Sequence, residues 1–62
     1  METNDDVRVV YDKGISSLES GDYSDALTCF DAALEIDPAH RDAWINRGYV
    51  LDILSQYNEA QV

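Results

Sequence analysis

The chain has 62 residues, a net charge of −9 from 13 acidic and 4 basic side chains, a single cysteine and no apolar run that approaches a membrane span. There is room for one small domain, an internal disulfide is excluded, and so acidic a surface would be repelled by nucleic acid or an anionic membrane. The start, METNDD, is too acidic for a signal or transit peptide, and the lone cysteine suits a reducing, cytoplasmic setting. The acidity is read first as keeping a small domain soluble and second as compatible with a basic partner.

In chain order, residues 1–6 are expected to form a frayed N-terminus, with Asn4, Asp5 or Asp6 capping a first helix over about 6–19. Its apolar stripe is Val7, Val10, Tyr11, Gly14, Ile15 and Leu18, at helical spacing. Gly14 costs about 1 kcal/mol relative to alanine inside a helix, so it needs a structural reason. Gly21 can end this helix in the left-handed conformation, and the Asp22 carboxylate can cap a second helix over about 22–36. In that helix Tyr23, Ala26, Leu27, Phe30, Ala33, Leu34 and Ile36 share one face. Ala26 and Ala33 let neighbouring helices approach, Phe30 and Leu34 fill the space between backbones, and Pro38 stops the helix at about Ile36. A third helix is expected over about 41–54, carrying Trp44, Ile45, Gly48, Tyr49, Leu51, Ile53 and Leu54, with Trp44 wedged between the second and third helices. After it the turn glycine is replaced by Leu54-Ser55-Gln56, and Tyr57 to Val62 is too short for a separate helix. Two outcomes follow, that the tail frays or that the third helix runs on past Ser55 toward 62; the second is favoured, with Ile45, Tyr49, Ile53, Tyr57 and Ala60 in one stripe that a second copy would cover.

Ala26, Phe30 and Pro38 stand at the separations of the tetratricopeptide repeat, and the chain repeats itself at about 34 residues. Val10 answers to Trp44, Gly14 to Gly48, Tyr23 to Tyr57, Asp25 to Glu59 and Ala26 to Ala60. The sequence thus resembles that family over nearly everything from Val7 onward, with residues 7–40 as a first repeat and 41–62 as a partial second one. The resemblance implies an all-α fold, an antiparallel helix-turn-helix α-solenoid fragment of three helices. It also implies a reason for Gly14, the close crossing of the repeat's second helix. Lys13, Ser17 and Arg47 stand where the family usually places leucine, tyrosine and leucine, so a reduced interior is expected there.

Reaction chemistry is nearly absent. His40, the one histidine, sits in an expected loop without a metal-ligand partner and is read as a solvated loop residue. Cys29 has no local lysine or arginine and is read as a small, half-buried hydrophobe rather than a nucleophile. Asp25, Asp31 and Glu35 fall on the polar face of the second helix, and the three glycines are isolated rather than grouped in a phosphate loop. No enzyme activity, cofactor or metal is expected.

The resemblance implies a concave groove lined by the first helix of each repeat. Carried over by position, its residues are Tyr11, Asp12, Ile15 and Leu18 from the first helix, with Arg8 and Glu19 beside them. The third helix supplies Asp42, Ile45, Asn46, Tyr49, Asp52 and Ile53. Asn46 matches a family asparagine that hydrogen-bonds a bound peptide's backbone. Tyr11 and Ile15 replace the lysine and asparagine with which the family clamps acidic C-terminal tails, which argues against that ligand. The reading is a non-catalytic protein-interaction module that takes an apolar and basic peptide or helix, with no nucleic-acid or membrane partner. The competing reading is a structural element that forms a homo-oligomer through the strip or belongs to a longer array.

Overall fold

Gly21 sets the first corner of the chain. It adopts φ +86°, a left-handed conformation that glycine takes without steric cost. There the Gly21 N–H donates to Leu18 O at 3.2 Å and the Asp22 N–H to Ser17 O at 2.8 Å, so two carbonyls left over at the helix end are satisfied. At the second corner Asp37 is extended, its N–H donates to Ala33 O, and its carboxylate accepts from the Ala39 N–H at 3.1 Å. Between and beyond these corners lie α1 (Glu2–Ser20), α2 (Tyr23–Ile36) and α3 (Arg41–Gln61). The computed structural model describes the backbone of residues 2–61 and the side chains of residues 5–56. Among the described residues there is no strand, and the fold is an all-α helix-turn-helix repeat.

α2 is the middle layer, with both α1 and α3 packed against it. Its buried residues are Ala26, Phe30, Ala33 and Leu34. Phe30 meets Val50 of α3 in one cluster, with Ile15, Leu18 and Leu54 packed around it; Ala33 and Leu34 meet Val7 and Ala43 in the other. Tyr11 joins both clusters, its ring 5.7 Å from that of Phe30. The molecule extends 46 × 20 × 13 Å.

Several expectations change. α1 begins at Glu2, not at residue 6, so Asn4, Asp5 and Asp6 lie inside the helix rather than capping it; the carboxylates of Asp5 and Asp6 still stand near the positive end of its dipole. Asp22 occupies the cap position of α2, but its side chain makes no capping hydrogen bond. α3 is one helix through Ser55 to Gln61. Its buried face is Ala43 and Val50, two residues outside the apolar set read from the sequence. Trp44 is not wedged between α2 and α3 but is 51% exposed. The cause is helical phase: Ala43 and Val50, two turns apart, face α2, and Trp44 lies about 100° round the helix from Ala43, off that face. Trp44 turns back over the loop instead, its Nε1–H donating to Pro38 O at 2.7 Å.

Candidate functional site

The site begins with Tyr11 and His40. The imidazole Nδ1 of His40 accepts the Ala43 N–H at 3.0 Å, occupying a donor that the start of α3 would otherwise leave unsatisfied. Its ring lies 4.9 Å from the ring of Tyr11. His40 is therefore a half-buried capping residue, not the solvated loop residue expected. Tyr11 in turn accepts a hydrogen bond at its phenolic oxygen from Asn46 Nδ2 at 2.8 Å, and the same amide nitrogen lies 3.0 Å from Asp42 O. Asn46 thus ties α3 to α1 across a separation of 35 residues. Burial and the negative charges of Asp42 and Asp12 raise the Tyr11 pKa above its ordinary value of 10.0, against the opposing pull of the Asn46 hydrogen bond.

The ten groove positions divide by what the fold does with them. Tyr11, Ile15 and Leu18 are half-buried against the Phe30 and Val50 cluster, so much of their apolar surface is already covered. Ile45 and Tyr49 are 61% and 56% exposed, and Ile53 beside them is half-buried. Asp12, Asp42 and Asp52 are exposed, as are Arg8 and Glu19. Tyr57 and Ala60, the remaining members of the stripe read from the sequence, lie outside the described side chains.

On the far side of α2, Arg47 Nε donates to Asp31 Oδ1, and its guanidinium carbon lies 5.9 Å from the Trp44 ring centroid. Asp31 stays on the polar face where the sequence placed it, its side chain 48% exposed, and is paired there with Arg47. A separate open depression of 610 Å³ lies between α1 and α2, where Lys13, Ser16 and Ser17 face Asp25, Thr28 and Cys29. Sequence reading missed it, although Lys13 and Ser17 had already marked the first repeat's departures from large apolar residues. Among the described residues no cluster of histidine, cysteine and carboxylate could hold a metal ion, and no buried polar side-chain atom lacks a partner. No helix is long and apolar enough to cross a membrane, among the described residues.

Helices paired through a glycine, a buried phenylalanine and flanking alanines, with a sequence period to match, form the pattern captured by the TPR-repeat family model, which matches residues 17–51. The chain belongs to the tetratricopeptide-repeat family. The tetratricopeptide chain is also 43% identical over 51 residues to an uncharacterized protein of Methanocaldococcus jannaschii, an alignment covering 82% of this chain and 59% of that protein. It thus spans somewhat more than half the length of that relative. No solved structure matches it.

Proposed function

We propose that the chain is a non-catalytic protein-interaction module of the cytoplasm, whose α1–α3 face takes an apolar and basic peptide or helix. Membership of the tetratricopeptide-repeat family supports the interaction role. The observation that carries the finer reading is the exposure of Ile45 and Tyr49 beside the aspartates Asp42 and Asp52, in a chain of net charge −9. Two large apolar side chains offer anchors, and the exposed carboxylates, with Asp12 on α1, offer partners to flanking lysine or arginine. The Tyr11–Asn46 hydrogen bond fixes the floor between the helices, so a bound segment would lie on α3 more than on α1. Individually such surface charges contribute only about 0–1 kcal/mol, so apolar anchoring provides most of the affinity.

The test is a fluorescence titration with labelled amphipathic peptides that share apolar anchors and differ only in the sign of the flanking charges. Basic peptides should bind, with affinity that falls as salt is raised, and Ile45→Asp should abolish binding. Equal or tighter binding by the acidic set would refute the proposal.

A further inference from the structure

His40 caps α3 with a group that titrates near neutral pH. Its carbonyl accepts the Trp44 N–H at 3.2 Å, which places it at the cap position of the helix. Its Nδ1 accepts the Ala43 N–H at 3.0 Å, so the neutral ring carries its hydrogen on Nε2. A serine or asparagine in this place would cap through an oxygen that keeps its lone pairs in mild acid. Imidazole has one lone pair to offer, and between about pH 8 and 5 a proton competes for it.

We propose that His40 is a proton-operated latch on the start of α3: the neutral ring holds the Ala43 N–H, and the protonated ring releases it. A ring protonated in place would face the Ala43 N–H with a second donor. It would also set a positive charge at the positive end of the helix dipole. The acidic groups around this corner pull the other way, but across solvent. Asp12 on α1 and Asp42 on α3 are exposed, and the Asp37 carboxylate in the loop already accepts the Ala39 N–H. Arg41, next in the chain, adds a positive charge, and α2 contributes the apolar Ile36 with Glu35 exposed beside it. Attraction between exposed charges is screened by salt, whereas the opposition of two donors in contact is not. Unfolding therefore favours uptake of the proton, and the latch is fully closed above the imidazole range and lost as pH falls through it.

Release reaches further than the cap. The first turn of α3 carries Asp42, whose carbonyl accepts from Asn46, the residue that ties α3 to Tyr11. The Tyr11 ring, 4.9 Å from the imidazole, loses its neighbour when His40 swings away. The latch belongs to the fold and stands whether or not the α1–α3 face takes a peptide.

Urea unfolding at about pH 8 and about pH 5.5 tests it, with the Ala43 amide followed by NMR across the same range. The chain has no other histidine. Protonating carboxylates in a chain of net charge −9 relieves self-repulsion and raises stability, so a fall on acidification has the opposite sign. The folding equilibrium constant of the parent should fall about threefold or more, and further at high salt. His40→Asn, which keeps an oxygen acceptor, should stay level or rise. The Ala43 amide signal should move over the imidazole range in the parent and stay in place in His40→Asn; if that variant does not fold, the parent's signal decides. A parent as stable at pH 5.5 as at pH 8, an equal fall in His40→Asn, or an Ala43 signal that does not move would each overturn the proposal.

Discussion

The Phe30 ring occupies the space where a side chain at Gly14 would begin: an added Cβ would lie 2.7 Å from Phe30 Cε1 and 2.9 Å from Cδ1. Phe30 is itself fully buried, held between α1 and Val50 of α3, so it has little room to yield. The helix-propensity cost of Gly14 is thus exchanged for close crossing of α1 and α2.

Gly14→Ala and Gly48→Ala should therefore have opposite signs. At Gly48 alanine meets open space and improves helix propensity, stabilising the monomer by about 0.5–1 kcal/mol. At Gly14 the same gain is outweighed by overpacking, typically about 1–3 kcal/mol. Urea unfolding followed by circular dichroism, at concentrations where the chain is monomeric, gives both values. A Gly14→Ala chain as stable as the parent would contradict the close crossing.

His40→Ala should cost about 0.5–2 kcal/mol, the usual loss when a helix cap is truncated. His40→Asn should recover part of it, because the asparagine oxygen can also accept from the start of α3, while the ring contact with Tyr11 is lost. Equal stability of the alanine and asparagine variants would show that stacking on Tyr11, and not the Ala43 hydrogen bond, is what His40 contributes.

Tyr11 makes a prediction at alkaline pH. Its folded pKa is raised, with burial as the largest cause, so the folded chain holds this proton more tightly than the unfolded chain does. The stability linked to it is fully present below the unfolded value of about 10 and is lost as pH rises through the folded pKa. Tyr11→Phe should lose the Asn46 hydrogen bond, about 0.5–1.5 kcal/mol, at neutral pH. It should also show a shallower loss of stability above about pH 10. Urea midpoints of the two chains against pH measure the difference; parallel curves would remove Tyr11 as the linked group.

α2 was legible from sequence because its apolar residues occupy one face and its ends carry Gly21 and Pro38. α3 was less so, since apolar residues surround it: Trp44 and Leu51 on one side, Ile45 and Tyr49 on another, Ala43 and Val50 inward. Periodicity counts such residues without saying which of several faces a neighbour will choose. Ala43 and Val50, two turns apart on one face, are the pair that packs against α2. In the site, Asn46 was legible as a polar residue on the α1 side of α3, but its bond to Tyr11 was not, since that depends on how two separated helices are set against each other. His40 was missed because capping by an imidazole nitrogen leaves no pattern in the flanking residues comparable to a serine or aspartate cap.

Trp44 offers the sharpest separation between the two pictures of α3. An indole buried between helices would typically cost about 3–5 kcal/mol to truncate, enough to unfold a chain of this size. The exposed Trp44 makes one hydrogen bond to Pro38 O, a cation–π contact with Arg47 and partial cover over the loop. The hydrogen bond contributes about 0.5–1.5 kcal/mol and the exposed cation–π contact about 0.5–1, with little cavity left behind. Trp44→Ala should thus destabilise the monomer by about 1–2 kcal/mol and leave it folded. Trp44→Phe, which keeps a ring but removes the Nε1 donor, should account for roughly half of that loss. In the parent chain at low concentration the tryptophan emission should be that of a partly solvated indole, open to a neutral quencher. Blue-shifted, quencher-resistant emission from the monomer, together with unfolding of Trp44→Ala, would return the indole to the interior and reassign the buried face of α3.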